Sequence, residues 1–520
     1  MSDQVTTGNQ SSENKFQTLL NNANAARIIS QSVEGTIGPR GLDIMMVDRF
    51  GDVVITNDGV TILKLMDINH PAAHMIINTA RSQQAEVGDG TTTTTIIAGA
   101  LIAEGVTQVL KGVPVSRVIE GINLGVKASL TWLWEQARPV DSVQDEALFH
   151  IALIAGRGND DLAKMVTEGA KIIGRDLLLQ SDYSFADAIT AREGADNQVF
   201  EGVILNRQPV NKEMPRQLNE VKILVIDDAL APEEMSHEIL KTEAGFQYYM
   251  EARQNYEYNL HKICSSGINT VVVNKNIDDI AETIFTDAGV MVLQRVSSHE
   301  MEKICQHTTA RKIKRQALNR EGEDLNKYIG YACQITLDEK LGITTIHKGA
   351  GTSLVSVIIG ASTEEVVDER ERMAKDAAAA LQAAVKAGVI PGGGAIEVFL
   401  ADKLEGLARE QEGMVSYGVL CVREALLKPF TCMADNAGFN SLEKLGDVMA
   451  AQRKYGQDFL SFDIDNGRII NTIEEGIIDA ALVKIHAIKA AAEVAVAILR
   501  IETVIKMRDE SAELNRNIIE

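Results

Sequence analysis

The chemistry in this 520-residue chain concentrates at Gly88-Asp89-Gly90, which is followed by five threonines, Thr91 to Thr95, and then by the apolar run IIAGALIAEG. Threonines are poor interior helix residues. At a helix start, however, their hydroxyls and the unpaired backbone amides point outward, and the glycines let backbone approach a ligand closely. Helix N-terminal amides and the macrodipole favour anions, so the segment reads as a phosphate cradle, with Asp89 as the hard oxygen ligand for the Mg²⁺ that accompanies a nucleotide. An ordinary capped turn carries the same Gly-Asp-Gly letters. There is no Gly-x4-Gly-Lys-Ser/Thr run and no Gly-x-Gly-x-x-Gly after a strand, which disfavours both the P-loop and the Rossmann designs. A nucleotide site of another design would draw on the loop Thr36 to Gly41, the triplet Gly392-Gly393-Gly394 and the carboxylates Asp58, Asp376 and Asp479. In phosphoryl transfer to water, a carboxylate orients or activates the attacking water while Mg²⁺ offsets phosphate charge. Spacing does not show that these aspartates converge, and each alone also reads as a cap, a turn residue or a solvated charge.

The elements that must position them follow from the hydrophobic pattern. Residues 1 to 15 are polar and read as a disordered tail, with an amphipathic helix from Phe16 to about Val33. MMVD (45–48) and VVIT (53–56) flank Arg49-Phe50-Gly51-Asp52 as a hairpin, and alanine-rich helical patterns run over about 72–85, 92–110 and 115–137. From 221 the texture changes. VKILVID (221–227), TVVV (270–273) and VMVLQRV (290–296) read as buried strands with helical patterns at 277–289 and about 298–307, a βαβ signature. An insertion at about 231–266 sets Phe246, Tyr249, Met250, Tyr256, Leu260 and Ile263 at helical spacing, either packed on its own domain or exposed as a contact element. A long helix from about Thr363 to Ala387 stops at Gly388, and a second helical block fills 395 to the end. The order helical, α/β, helical suggests one domain interrupted by another.

Composition narrows the function. With 51 Lys plus Arg against 73 Asp plus Glu, the net charge is −22, which disfavours a nucleic-acid partner. The polar start lacks an apolar h-region and no segment reads as a membrane span, so a cytoplasmic protein without membrane attachment is expected. The five cysteines form no CxxC pair and read as reduced core thiols, and the nine histidines include no HExxH.

At these segments the chain resembles a chaperonin over nearly its whole length. The resemblance is carried by Thr36-Ile37-Gly38-Pro39-Arg40-Gly41, Thr56-Asn57-Asp58-Gly59, Glu86-Val87-Gly88-Asp89-Gly90-Thr91-Thr92, Gly360-Ala361-Ser362-Thr363-Glu364 and Gly392-Gly393-Gly394. Asn57 before Asp58, the ending Ala497 to Ile505 and the 231–266 insertion resemble the group II type, the archaeal thermosome and eukaryotic cytosolic chaperonin, in which the insertion is a helical protrusion forming a built-in lid. Where group II members carry a Thr-Gly-Lys sensing loop, this chain has Ala155-Gly156-Arg157-Gly158-Asn159, and its protrusion is a few residues short, as in a divergent branch such as the bacterial group III lineage.

The resemblance implies a multi-domain fold, α/β and mostly α, with nested domains. These are an equatorial domain (16–143 and 392–520), an intermediate domain (144–207 and 359–391) and an apical α/β domain (208–358) bearing the protrusion. It implies an ATPase coupled to protein folding, with ATP and Mg²⁺, and K⁺ as a further candidate. Carried over by position, Thr36, Ile37, Gly38 and Pro39 form the phosphate loop, and Gly90, Thr91, Thr92 and Thr93 the phosphate cradle. Asp89 belongs to the metal site, Asp58 and Asp376 position the attacking water with Asp376 the preferred base, and Gly393 and Asp479 line the nucleoside side. Arg157 stands where a lysine senses γ-phosphate; its planar fork can bridge two oxygens where an ammonium is a point charge. The implied partners are unfolded polypeptides and further copies of the chain in a double ring, eight per ring, with no separate lid protein. A ring-forming holdase without productive hydrolysis is the alternative, motivated by the altered 155–159 loop. A small-molecule kinase has only the generic cradle in its favour.

Overall fold

The computed structural model describes residues 3–51, 53–232, 242–319 and 325–505. The chain divides into two compact units, one formed by Met1–Ala163 with Asp376–Glu520 and the other by Lys164–Lys375.

In the first unit, α1 (Asp3–Glu34) precedes a hairpin of β1 (Ile44–Val47) and β2 (Val53–Thr56). Then come α2 (Gly59–Leu65), α3 (Pro71–Glu86), α4 (Thr91–Leu110), α5 (Val115–Gln136) and α6 (Glu146–Ala155). Helix α1 starts at Asp3, ahead of the Phe16 start expected from the polar character of 1–15. Extending an existing helix costs far less than nucleating one, so polar residues continue what the apolar-periodic part begins. By length and composition α4 is apolar enough to cross a membrane, yet most of its apolar window is buried. Its residues Ile96, Leu101 and Ile102 share a core with Ile76, Ile122 and Leu133.

The second unit begins within α7 (Asp160–Ile173), followed by the single turn α8 (Arg175–Leu178), and carries an eight-stranded sheet in the order β3-β10-β4-β9-β8-β5-β6-β7. Its strands are β3 (Ile189–Glu193), β4 (Gln198–Leu205), β5 (Gln217–Ile226), β6 (Thr270–Val273), β7 (Met291–Leu293), β8 (Gly330–Asp338), β9 (Ile343–Gly349) and β10 (Val355–Ala361). The pairs β5–β6 and β6–β7 are parallel, as βαβ connections through α9 (Glu243–Ser265) and α10 (Asp279–Asp287) require. Along β5, Leu224 and Ile226 enter one apolar cluster and Ile223 and Val225 the opposite one, so this strand is buried on both faces. The far face is covered by α11 (Ser298–Thr308), whereas the short turn α12 (Arg315–Leu318) adds Leu318 to the cluster of Leu224 and Ile226.

Helix α9 resolves the two readings of the insertion. Tyr256, Leu260 and Ile263 pack into the core of the unit, whereas Phe246, Tyr248 and Met250 in its first half, and Tyr258, are exposed. Residues 233–241 of the expected protrusion lie outside the described residues.

Helix α13 (Glu364–Ala387) returns the chain to the first unit, ending at β11 (Val389–Pro391). There follow α14 (Ala395–Glu410), α15 (Val415–Asn436), α16 (Ser441–Tyr455), the hairpin β12 (Leu460–Phe462) and β13 (Ile469–Asn471), β14 (Ile478–Ala480) and α17 (Ala481–Leu499). Helix α4 packs against α1, α3, α15 and α17, so both chain ends build one core.

Candidate functional site

Two helix N-termini meet at the Gly88-Asp89-Gly90 turn. Gly88 and Gly90 have left-handed φ of 75° and 80°, and Gly90 is the N-cap of α4 without a side-chain cap. The first amides of α4 therefore have no partner within the helix. The threonine run divides by role. Thr94 and Thr95 turn their hydroxyls back onto the Gly90 and Thr91 carbonyls, both at 2.9 Å, and are buried, whereas Thr92 and Thr93 are half-buried. Helix α2 starts against the same point: a Cβ on Gly59 would lie 2.6 Å from Thr92 Oγ1 and 3.1 Å from its amide nitrogen, so only glycine permits this approach. Asp58 caps α2, accepting from the Val60 amide at 3.3 Å, the Thr61 amide at 3.0 Å and the Thr61 hydroxyl at 2.6 Å. The Thr91 hydroxyl donates to it at 3.4 Å, so the cap also faces the cradle.

The other carboxylates gather round this point. Asp89 accepts from the Gly90 amide at 2.6 Å, and burial together with the negative Asp479 and Asp58 raises its pKa from 3.8 to about 6 despite that bond and Lys484. Asp376, on α13, is raised well above the ordinary carboxylate value by burial and by Asp89 and Asp58, opposed by Arg157 and a hydrogen bond from Gln84. Its helix is seated tightly, because a Cβ on Gly88 would meet Ala379 Cβ at 2.3 Å. Asp479 lies opposite Ile390 in the β11–β14 pair and is held at 3.1 Å by Lys484, which bridges to the buried Glu397 at 2.5 Å. Electrostatic coupling thus links Asp58, Asp89, Asp376, Asp479 and Arg157 in one cluster.

Arg157 has φ 57°, unusual for a non-glycine residue. It occupies the left-handed position that ends α6, where the Gly158 amide bonds the Leu153 carbonyl at 2.7 Å. Glycine ordinarily fills that position, so a side chain here is held at a conformational cost and is a candidate for function.

The glycine loops converge on α15. In the 36–41 loop, Thr36 and Ile37 are buried while Gly38 and Pro39 are exposed, and Asn436 clamps the loop by donating to the Glu34 and Ile37 carbonyls at 2.9 and 3.0 Å. Met433 packs against both Gly38 and Gly394. Gly393 is fixed by the Ser461 hydroxyl, which donates to its carbonyl at 2.8 Å. Gln83, Gln84, Glu397, Asn436, Met433, Ser461 and Lys484 were not among the residues marked by the sequence. Only the amide pair beside Gly88-Asp89-Gly90 offered a signal, through its proximity in the chain.

Crowded carboxylates with raised affinity for protons fit a cation. Among the described residues no three His, Cys, Asp or Glu side chains form a ready-made metal cage. This donor set suits Mg²⁺, which is commonly held by one or two carboxylates and completed by substrate phosphates and water.

A family profile described as the TCP-1/cpn60 chaperonin family matches residues 29–509. The chain is 34% identical over 502 residues to thermosome subunit beta of Archaeoglobus fulgidus, covering 93% of this chain and 91% of that one. It is 33% identical over 499 residues to the thermosome subunit of Pyrococcus horikoshii, covering 92% and 90%. Among solved structures it is similar to a group III chaperonin crystallised in the open state, with a TM-score of 0.87, 44% identity and coverage of 95% of this chain and 100% of the other.

Proposed function

The chain belongs to the TCP-1/cpn60 chaperonin family, and from that membership we propose how its own residues run the ATPase cycle that such a protein couples to folding. It is an ATP-dependent chaperone of the group II type. The observation that supports the assignment of roles is the gathering of Asp58 and Asp89 at the start of α4, with the helix that carries Asp376 packed against Gly88 through Ala379.

In this reading Gly90, Thr91, Thr92 and Thr93 receive phosphate oxygens from one side, and the loop Thr36, Ile37, Gly38 and Pro39 from the other. Asp89 would hold Mg²⁺, which offsets phosphate charge. Asp376 takes the proton of the attacking water and Asp58 helps orient it. Gly393 and Asp479 line the nucleoside, Arg157 senses the γ-phosphate, and K⁺ is a further candidate ion. The nested equatorial, intermediate and apical partition is supported by the way both chain ends share the core of one unit.

The subunits assemble in this reading into two rings of eight without a separate lid protein, and association as such is supported by apolar surface that a lone subunit leaves in water. The β1–β2 hairpin exposes Met45, Val47, Val53 and Ile55, with Leu42 and Phe50 beside it, and Val504 and Ile505 are exposed near the C-terminus. The exposed aromatic half of α9 supports a protrusion that closes over captured, unfolded chains. A cytoplasmic location accords with these roles.

Asp376→Ala tests the reading. Rings should still assemble and bind ATP, while hydrolysis falls by about a hundredfold or more, as expected for loss of a general base. Electron microscopy should show double rings that are open without ATP and closed during turnover. Wild-type hydrolysis by Asp376→Ala would remove that residue from the chemistry.

A further inference from the structure

Gly393 and Asp479, which line the nucleoside in the reading above, lie at two neighbouring strand-to-helix connections. Gly393 stands between β11 and α14, and Asp479 lies in β14, which α17 follows directly. The two strands pair antiparallel with Asp479 opposite Ile390, and the Gly392 amide donates to the Ile477 carbonyl at 3.0 Å. These bonds fix the backbone. They leave the Asp479 carboxylate free to turn about its own side-chain bonds.

A buried ion pair between the two helices removes that freedom. Glu397 stands in the first turn of α14 and Lys484 near the start of α17, with side chains 2% and 14% exposed. The Lys484 ammonium lies 2.5 Å from Glu397 Oε1 and 3.1 Å from Asp479 Oδ2. Glu397 Oε2 is buried with no hydrogen-bond partner, so the lysine is what holds this carboxylate. One positive charge between two carboxylates cancels one of them. Lys484 sits nearer Glu397, so the uncancelled charge stays on Asp479, the more exposed of the two at 23%. The lysine takes Oδ2 and leaves Oδ1 to accept a hydroxyl, and hydrogen bonds to a charged acceptor are the strong ones.

We propose that Lys484 and Glu397 are positioning residues for nucleoside selectivity, fixing Asp479 so that its Oδ1 meets a sugar hydroxyl of ATP. This rests on the reading of Asp479 as a nucleoside contact. A lysine beside a nucleotide ordinarily suggests a phosphate ligand, but the charge of Lys484 is already spent on two carboxylates.

The test compares Asp479→Asn, the double variant Lys484→Met with Glu397→Leu, and Glu397→Gln, each in the full-length assembled protein. Lys484→Met alone would strand a buried carboxylate, whereas an apolar replacement of the whole pair is commonly tolerated. Glu397→Gln keeps the shape and puts the full lysine charge on Asp479, so it serves even where the double variant does not assemble. KM and kcat are measured separately for ATP, 2′-deoxy-ATP and 3′-deoxy-ATP. The wild type should favour ATP in kcat/KM by about tenfold or more over the analogue lacking the recognised hydroxyl, the loss of one hydrogen bond to a charged group. In the double variant that preference should fall to within about threefold, through a higher KM for ATP, and in Glu397→Gln it should weaken severalfold. A merely structural role, or a phosphate contact, would raise KM for all three nucleotides alike and keep the preference, which overturns the proposal. Preference lost in Asp479→Asn but retained in the double variant and in Glu397→Gln defeats this inference alone. No preference in the wild type, or an unchanged one in Asp479→Asn, defeats the nucleoside reading and the inference with it.

Discussion

Asp89→Asn should stabilise this protein and disable it at once. In the folded chain the Asp89 carboxyl is raised from 3.8 to about 6, because it is largely withdrawn from water and faces Asp479 and Asp58. A group whose folded pKa is raised costs nothing below its unfolded value, and the cost grows as pH rises through the folded one. The full difference corresponds to about 3 kcal/mol at neutral pH, and allowing for the partial exposure of Asp89 leaves between about 1 and 3 kcal/mol. Asparagine removes the charge yet keeps an oxygen to accept the Gly90 amide bond at 2.6 Å. In EDTA at pH 7.5 the variant should melt roughly 2–5 °C above the wild type, by scanning fluorimetry at matched scan rates. The gain should shrink toward zero as the pH approaches 4. With Mg²⁺ and ATP the order should reverse, since only the wild type is then stabilised by binding. A variant that melts below the wild type in EDTA, or keeps its gain at pH 4, would refute the electrostatic reasoning.

Gly88→Ala should lower kcat more than tenfold with ATP affinity preserved, because the new Cβ meets Ala379 Cβ at 2.3 Å and pushes α13 off the turn. Gly112→Ala is the control: its φ of 96° also disfavours alanine, but nothing lies within 4 Å, so it should cost stability and leave kcat unchanged; equal activity of the two variants would discredit the role given to the Gly88–Ala379 contact. His307 bonds the Thr352 carbonyl through Nδ1 at 3.0 Å and accepts the Gly349 amide at Nε2 at 2.9 Å, which requires the neutral ring. Burial lowers its pKa from 6.5, so its stabilisation is complete above 6.5 and is lost as pH falls through the lower folded value; amide exchange of residues 300–355 should accelerate in acid in the wild type and far less in His307→Gln, and equal acceleration would exclude His307. Arg157→Lys should alter the response of ring closure to ATP more than ATP affinity, as followed by electron microscopy and binding; a change in affinity alone makes Arg157 a binding residue.

Local signals made much of the framework legible. The 3.6 period located α3, α4 and α5, and apolar runs of the right length located β5, β6 and β7. The strands β3, β4, β8, β9 and β10 were missed because a mixed sheet is made by partners distant in the chain: Val357 pairs with Ile189, and Val203 with Ile346. Asp58 shows how two readings can coincide. It is a helix cap, as its position before Gly59 suggests, and the same capping places it beside Thr91. Gln83 and Lys484 stayed hidden because their importance lies in burial. A buried amide with three partners and a buried ammonium between two carboxylates look in sequence like ordinary surface residues.

The packing of α4 bears on how the protein is made. This helix leaves the ribosome early with an apolar face, and α1 and α3, already synthesised, cover only part of it. Its other main partners are α15 and α17, the latter beginning about 370 residues after Leu110. At ordinary elongation rates that interval lasts on the order of 20–70 s, during which a segment fit for a bilayer waits in water. The core of the first unit therefore closes only when translation is nearly finished. A newly made subunit therefore passes through an exposed apolar state of the kind that a chaperone binds.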